Sequence, residues 1–333
     1  MTGFRVGTRG SALATTQTTT VADALARTSG REYELKIIRT EGDITTGSLA
    51  SLGGTGVFAS ALRAAILDGE VDLAVHSLKD LPAKQPEGLE IVAIPERVDV
   101  RDALCARDGL TLETLPRGAR VGTGSPRRVA QLLAARPDLE MVDIRGNVPT
   151  RLARVPGLES HDDHAPAAAG SPRGDLDAVV LACAGLDRIG MDWAITERLD
   201  PAVVLPAPGQ GALAIESRPE LAGAASPHPE LTRALAEYDD AATRVQVTAE
   251  RALLSRLEAG CAAPLGALGR FGSGTLVLDA VVAAHDGSRV LRRNEQITLA
   301  VDPAEEAALE AARALGVEVA EALLADGADL LSW

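Results

Sequence analysis

Between Phe4 and Gly190, short apolar segments rich in β-branched residues alternate with segments of helical periodicity. This alternation is typical of α/β domains and constrains the fold more than any other feature of the chain. It occurs as two comparable series, so we predict two α/β lobes with a cleft between them. The first series has strands in FRVGT, YELKIIRT and VDLAVHS and a helix in VFASALRAAILDG; the second has strands in ARVGTG and LEMVDIRG and a helix in SPRRVAQLLAARP, continued by NVPTRLARV and DLDAVVLACAGLDRIG.

The chain changes character after Pro229. A long helical stretch to Leu257 precedes the alternating segments TLVLDAVVAA and QITLAV, and a final helix is predicted from about Pro303 to Leu324. This order predicts a separate α+β domain with a small antiparallel sheet. We therefore expect a discontinuous first domain, a second domain carrying a flexible, proline- and glycine-rich insertion, and a third domain; the bounds are 1–98 with 209–228, 99–208 with the insertion at about 155–174, and 229–333.

Charge and hydropathy exclude several classes of protein. The net charge of −14 over 333 residues argues against broad binding to nucleic acid or to acidic membranes. No apolar run of about 18 residues is present, and the first residues lack the basic and apolar regions of a signal peptide. We therefore expect a cytoplasmic protein without nucleic-acid or membrane partners.

The cysteines do not form a recognisable metal or disulfide pattern. Cys105, Cys183 and Cys261 are far apart and include no CxxC pair, which disfavours both a disulfide framework and a zinc site. Cys261, in LEAGCAAPLG, follows the long helical pattern and precedes a proline. A free cysteine is usually a small buried hydrophobe. The residues alone add only that Cys261 lies at a junction between a helix and a strand, in reach of the two lobes.

Polar side chains follow the predicted strand that ends in VDLAVHSLKDLP. Lys79 and Asp80 come directly after this strand, and the carboxyl ends of strands in open α/β sheets commonly line the ligand crevice. The alternative is a capped turn in which Asp80 is merely solvated ahead of Pro82. The density of charge favours a functional role.

The segment VGTGSPRR, residues 121–128, follows the same plan at the end of another strand. Small residues let the backbone approach a ligand, and the amide groups of a helix start favour an anion. Ser125 is predicted to cap this helix, and Ser11 the first helix of the chain. Arg127 and Arg128 add two planar guanidinium groups suited to carboxylate or phosphate. The alternative is an exposed first turn with solvated arginines.

Arginines recur at further junctions between strands and helices. Arg9, Arg145 and Arg188 each follow a predicted strand, and Arg151 lies on a following helix. For Arg188 the simpler interpretation is an exposed ion pair with Asp187. Each signal is weak, but together these arginines predict a cleft for a ligand with several negative charges.

For two other segments the sequence is compatible with two roles each. LPAPGQGALAIE, residues 205–216, contains Gln210 and predicts either a hinge or a ligand-contacting turn. The glycine- and threonine-rich residues 41–58, which end at Phe58, are predicted to be either a lid over a site or a surface loop without a role in binding.

The motifs together resemble the porphobilinogen deaminase family, also called the hydroxymethylbilane synthase family, from about Arg5 to Gly269. Any one of them could arise by chance, whereas seven in the family's order and approximate spacing are highly specific. The seven motifs are VGTRGSALA, VHSLKDLP, GTGSPRR, IRGNVPTRL, LACAGLDRIG, PAPGQGALAIE and TAERALLSRLEAGCAAPLG.

The resemblance implies a monomeric enzyme of tetrapyrrole synthesis. Such an enzyme condenses four porphobilinogen molecules head to tail, releases ammonia at each step, and sets the linear hydroxymethylbilane free with water. The implied fold has two lobes like those of type II periplasmic binding proteins and a third domain. That domain carries a dipyrromethane cofactor on a cysteine thioether, the position of Cys261 in this chain.

The resemblance also implies roles for individual residues. Asp80 matches the catalytic aspartate, beside the cationic azafulvene that remains when ammonia leaves. Substrate contacts are implied for Ser11, Gln210 and Phe58. The positions that match cofactor-binding residues are Lys79, Asp80, Thr123, Ser125, Arg127, Arg128 and Arg145, and those that match substrate-binding arginines are Arg9, Arg145, Arg151 and Arg188.

Two hypotheses of other classes remain beside the enzyme. A two-lobed anion-binding module would share the fold without chemistry, but periplasmic binders are exported and we expect no signal peptide from the first residues of this sequence. A nucleic-acid binder that relies on arginine is disfavoured by the few aromatic residues and the negative net charge.

Overall fold

The computed structural model describes residues 3–38, 57–159, 172–223, 226–257 and 264–328. In these ranges the strands are β1 (Phe4–Thr8), β2 (Tyr33–Ile37), β3 (Leu73–Ser77), β4 (Glu90–Ala93), β5 (Asp102–Ala106), β6 (Arg120–Gly122), β7 (Glu140–Val142), β8 (Ala178–Ala182), β9 (Glu197–Arg198), β10 (Leu213–Ser217), β11 (Leu265–Gly272), β12 (Thr275–Ala283) and β13 (Val290–Thr298). The helices are α1 (Ala12–Ser29), α2 (Val57–Leu67), α3 (Pro126–Ala135), α4 (Val148–Leu152), α5 (Cys183–Arg188), α6 (Pro229–Tyr238), α7 (Ala241–Arg256) and α8 (Glu306–Ala325).

The predicted fold class is confirmed by three separate sheets. The first has the order β2-β1-β3-β10-β4 and the second the order β7-β6-β8-β5-β9. In each, one strand runs antiparallel to its neighbours, β10 in the first sheet and β5 in the second. The two lobes thus share one topology.

The third sheet, β11-β12-β13, is antiparallel throughout. One face of it packs against α7 and α8, which bury a core of mainly leucine, valine and alanine side chains. Alternate residues of β12, from Leu276 to Val282, point into this core. The period-two pattern of TLVLDAVVAA therefore predicted the buried face of this strand correctly.

The long helix predicted after Pro229 is wrong in one respect, because it is two helices that meet at Asp239 and Asp240. The side chain of Asp240 accepts a hydrogen bond of 2.6 Å from the backbone amide of Thr243, which caps α7. Asp239 accepts one of 2.6 Å from the amide of Ile94. An aspartate at a helix start competes with the preceding helix for the backbone, and this separates the two.

The domain bounds stay a proposal, to which the packing adds one refinement. β10 lies between β3 and β4, which supports a discontinuous first domain. Helix α6 contributes Leu231 and Leu235 to the core of the first lobe rather than to the third domain. We therefore propose that the third domain begins at α7.

The strand directions gather the functional motifs at one edge of each sheet. β1 and β3 are parallel, and the start of antiparallel β10 pairs Leu213 with Ser77 at the end of β3. In the second lobe β6 and β8 are parallel, and β5 begins with Asp102 opposite Ala182. The residues after β1, β3, β6 and β8 and before β5 and β10 thus lie at these two edges. Among the described helices, none is long and apolar enough to cross a membrane.

Candidate functional site

Asp80 lies in a short 3-10 turn, Leu78–Asp80, directly after the buried strand β3. The side chain is exposed, and within the described residues its carboxylate has no hydrogen-bond or ion-pair partner. The adjacent Lys79 is half-buried and donates a hydrogen bond of 3.3 Å from Nζ to Oε1 of Gln210. The first lobe therefore presents an accessible carboxylate beside a partly enclosed ammonium group.

Asp102 is the centre of the second lobe's part of the site. Its side chain is fully buried, and its two carboxylate oxygens lie 2.8 Å from Arg127 and 2.7 Å from Arg128. Burial disfavours the charged form of Asp102, but the two guanidinium groups outweigh it and hold the pKa of this carboxyl well below its usual range. The arginine pair is thus fixed by a permanent negative charge.

Gln210 connects the two lobes. Its amide nitrogen donates hydrogen bonds of 2.8 Å to the carbonyl of Val100 and to Asp102, while its oxygen accepts from Lys79. Gly211 follows with φ +87°, and a Cβ there would lie 2.6 Å from the carbonyl oxygen of Val98. The LPAPGQGALAIE segment is therefore a tight crossing of two chain segments, and Gln210 joins Lys79 to Asp102 across it.

Like charges crowd this site. Burial lowers the pKa of Lys79 to about 8; Asp80 and Asp102 raise it, whereas Arg128 and Arg127 lower it further. Burial also lowers the pKa of Arg151 to about 10, and Arg128 and Arg145 add to that shift, with Asp143 and Asp80 acting against it. Burial is the main cause of both shifts and neighbouring guanidinium groups add to it, so an anionic ligand would stabilise the charged forms of Lys79 and Arg151.

Other predicted residues lie around this cluster. Arg145 is exposed and pairs at 3.4 Å with Asp143, and Arg151 donates from Nε to the carbonyl of Gly146 at 2.7 Å. Thr123 is buried, and its hydroxyl accepts a hydrogen bond of 3.3 Å from the amide of Ser125. Arg9 follows β1 and is half-buried.

The predicted helix caps differ in outcome. The Ser11 hydroxyl accepts a hydrogen bond of 3.3 Å from the amide of Ala14, which confirms it as the cap of α1. Ser125 occupies the cap position of α3, but its side chain makes no capping hydrogen bond. The hydroxyl of Ser125 therefore does not cap α3.

The simpler interpretation of Arg188, an ion pair with Asp187, is wrong. Arg188 donates a hydrogen bond of 2.8 Å to the carbonyl of Gly211, and Asp187 pairs at 2.7 Å with Arg198 instead. Burial lowers the pKa of Arg188 to about 10, and Tyr238 and Asp187 raise it. The guanidinium of Arg188 thus supports the crossing segment.

Four predicted features fall outside what the structure describes, the first being residues 41–56 of the glycine- and threonine-rich segment. Cys261 belongs to residues 258–263, between the end of α7 and the start of β11, and the side chain of Phe58 in α2 is likewise outside. Much of the predicted insertion, residues 160–171, is outside as well. The flanking elements of Cys261 confirm only that it lies between a helix and a strand.

Of the buried carboxylates, Asp102 and Glu250 were missed in the sequence as parts of the site. Asp102 opens the otherwise apolar strand DALCA, and Glu250 lies on the buried side of α7. Glu250 pairs with Arg97 at 2.6 Å and accepts hydrogen bonds from the amides of Gly209 and Gly269. An acidic residue within an apolar run is a signal of such a site, because a buried charge requires partners.

The glycines of VGTGSPRR have a steric explanation that does not involve a ligand. A Cβ on Gly122 would lie 2.6 Å from Leu176, and one on Gly124 would lie 2.7 Å from the carbonyl oxygen of Ile144. Neighbouring chain segments therefore occupy the space that these small residues leave, and the anion-binding interpretation depends on the side chains instead.

Comparison with known proteins identifies the family of the chain. Residues 4–224 match the family model described as "Porphobilinogen deaminase, dipyromethane cofactor binding domain", and residues 244–325 match "Porphobilinogen deaminase, C-terminal domain". The chain belongs to the porphobilinogen deaminase family. Relatives include porphobilinogen deaminases of Micrococcus luteus, 67% identical with 99% of this chain and 95% of that protein covered, and of Cutibacterium acnes, 58% identical with 98% and 96% covered.

Comparison with solved structures matches two binding proteins at low TM-score. A periplasmic substrate-binding protein of an ABC transporter from Coxiella burnetii has a TM-score of 0.42 at 13% identity, with 70% of this chain and 90% of that chain covered. The methionine-binding protein MetQ has a TM-score of 0.39 at 13% identity, with 70% and 89% covered.

The site fits the dipyrromethane cofactor of the porphobilinogen deaminase family. A dipyrromethane with acetate and propionate side chains is a polycarboxylate, and the crowded cations with lowered pKa values provide matching positive charge. The Nε atoms of Arg127 and Arg128 are buried without a hydrogen-bond partner among the described residues. Lys79, Thr123, Ser125 and Arg145 provide further donors beside them.

The first prediction concerns Asp102. Asp102→Asn leaves two buried guanidinium groups without their counter-charge, so we expect a loss of about 3–5 kcal/mol in the free energy of unfolding. Urea unfolding measures it. The control is Glu321→Gln, which removes an exposed ion pair with Arg256 and should cost less than about 1 kcal/mol. Equal losses in the two variants would contradict the role of Asp102.

Proposed function

We propose that the protein is a hydroxymethylbilane synthase, which condenses four porphobilinogen molecules on a covalently bound dipyrromethane and releases ammonia at each step. Family membership supports the reaction. The observation that carries the proposal is the position of Asp80, an accessible carboxylate at the end of β3 beside a cluster of cations from both lobes.

The cations suit the substrate. Each porphobilinogen carries an acetate and a propionate, so negative charge accumulates as the chain grows. Guanidinium groups form two parallel hydrogen bonds with a carboxylate. We assign Arg9, Arg145, Arg151 and Arg188 to the substrate carboxylates, with Ser11 and Phe58 as further substrate contacts, and Arg127 and Arg128 to the cofactor. The substrate contact predicted for Gln210 is replaced by a structural role, because its buried amide is already paired with Val100, Asp102 and Lys79.

Asp80 acts on the charge that develops during the reaction. When ammonia leaves porphobilinogen, positive charge remains on the pyrrole unit, and a nearby carboxylate stabilises it. The exposed side chain of Asp80 has no competing partner among the described residues, so its charge is available for this purpose. The same carboxylate accepts and returns protons at the pyrrole nitrogen.

Cys261 provides the covalent attachment of the cofactor in this proposal. The bound dipyrromethane supplies the pyrrole carbon to which the first substrate is joined. The chain positions this group from two sides, through the thioether at Cys261 and through Lys79, Thr123, Ser125, Arg127, Arg128 and Arg145 at its carboxylates. A monomeric state and a cytoplasmic location stay predictions from the sequence.

The attachment is tested by intact mass. We expect the purified protein to exceed its polypeptide mass by one dipyrromethane unit, and Cys261→Ser to lose both this adduct and product formation. Cys183→Ser, a change at a buried cysteine in α5, is the control and should keep the adduct. A bare polypeptide mass in wild-type protein that porphobilinogen cannot activate would overturn the proposed function.

Asp80→Asn tests the catalytic carboxylate. Because the side chain is exposed and makes no hydrogen bond within the described residues, the fold should be retained, whereas turnover should fall about 100- to 1000-fold with the counter-charge. Product formation and urea unfolding are measured together. Asp68→Asn, an exposed position in the same lobe, should keep normal turnover. Near-normal turnover in Asp80→Asn would remove Asp80 from the mechanism.

The titration of Lys79 should make the enzymatic activity depend on pH. Its pKa of about 8 means that the ammonium group loses its proton as the pH rises through that value. The hold of Lys79 on a carboxylate of the covalently attached cofactor should then weaken, and kcat should fall about tenfold, the worth of one charged hydrogen bond. Lys79→Arg stays charged and should move this fall to higher pH. The exposed Lys84→Arg is the control, and a kcat that is flat through this range in wild-type protein would contradict the assignment.

A further inference from the structure

Arg251 of α7 makes an unusual set of contacts with the turn that carries Asp80. Its Nη1 lies 3.5 Å from the carbonyl oxygen of Leu78 and 3.2 Å from that of Leu81. Its Nη2 lies 2.6 Å from the carbonyl oxygen of Pro82 and 3.2 Å from that of Ala83. One guanidinium group from the third domain thus contacts backbone carbonyls on both sides of Asp80. We call residues 78–83 the Asp80 turn.

An apolar contact accompanies these hydrogen bonds. Val247 precedes Arg251 by one helical turn and lies on the same face of α7. It packs in one cluster with Leu78 and Leu81 of the Asp80 turn. The turn therefore rests on α7 through its side chains as well as its carbonyls, and this face of the helix sets its position.

Burial and neighbouring charged side chains shift the pKa of Arg251. Burial lowers the pKa of Arg251 to about 10, Arg63 adds to this shift, and Glu216 and Glu250 act against it. Within the described residues, none of these carboxylates forms an ion pair with Arg251; Glu216 pairs with Arg63 and Glu250 with Arg97. The guanidinium group of Arg251 therefore donates its hydrogen bonds to the carbonyl groups of the Asp80 turn.

The same helix leads to the cofactor cysteine. α7 ends at Arg256, and Cys261 follows before β11 begins at Leu265. An α-helix is rigid over such a length, so a contact near its end fixes that end relative to what the helix touches. We infer that Arg251 is a positioning residue, which holds Asp80 in place against the end of α7, from which the chain continues to Cys261.

This inference rests on the proposed function and adds to it a reason for the third domain to contact the first lobe. Asp80 must reach the reacting pyrrole, while the cofactor is attached on another domain. A displacement of about 1 Å in a catalytic group can cost about 100-fold in rate. Arg251 limits such displacement without touching the substrate.

The test uses the full chain loaded with dipyrromethane. Arg251→Gln removes the charge and most of the donors, and we expect kcat to fall about 10- to 100-fold while KM changes less than about threefold. Intact mass should show that the adduct is retained. Hydrogen–deuterium exchange should become faster in the Asp80 turn. Arg251→Lys keeps the positive charge but has fewer hydrogen-bond donors, so it should show a smaller loss of kcat. This variant replaces Arg251→Gln in the test if Arg251→Gln does not fold.

The matched control is Arg244→Gln. Arg244 lies on the same helix, pairs with Asp239 at 2.7 Å and lies 3.5 Å from the carbonyl oxygen of Ile91. Arg244→Gln should leave kcat and the rate of hydrogen–deuterium exchange in the Asp80 turn unchanged. An equal loss of kcat in the two variants would show a general loosening of α7 and overturn the inference.

A double variant separates positioning from an independent effect. If Arg251 acts through Asp80, then Arg251→Gln should lower turnover less than about threefold when Asp80 is already asparagine. The same factor in both backgrounds would overturn the inference. Full turnover of Arg251→Gln in an active enzyme would overturn it alone, whereas a wild-type protein that forms no hydroxymethylbilane would overturn the proposed function as well.

Discussion

The burial of Asp102 between two arginines is the interaction on which the site depends. A carboxylate in an apolar strand is costly unless it is paired, and Arg127 and Arg128 provide this pairing from the first turn of α3. In return, Asp102 fixes two guanidinium groups at the edge of the second sheet. Gln210 extends the network to Lys79, so a single buried charge orders donors from both lobes.

Glu250 has a comparable role for the third domain. It lies fully buried on α7, pairs with Arg97, and accepts amide hydrogen bonds from Gly209 and Gly269. Arg97 and Gly209 belong to the first domain and Gly269 belongs to β11, so one carboxylate joins the first and third domains. Arg251, the next residue on α7, contacts the Asp80 turn. The helix that leads to Cys261 is thereby held against the lobe that carries Asp80.

Much of the fold was predictable because its elements are local. β1, β3, α2, α3, β12 and α8 occur where the hydrophobic periodicity and the capping residues place them. The division of the long helical stretch was missed because capping by Asp240 is a local competition within a continuous helical pattern. The sequence also predicted that arginines gather at strand ends, and the resemblance singled out Asp80, but neither revealed the acidic partners of the arginines.

The sequence by itself determined many of the strands and helices, the family of the chain and the identity of the chemical groups, because these follow from residue type and spacing. Only the tertiary structure decided which charges meet. Asp102 and Arg127, Glu250 and Arg97, and Arg251 and the Asp80 turn lie far apart along the chain. Their pairing depends on strand order and on the crossing of chain segments between lobes, which bring them together and exclude water from the buried carboxylates.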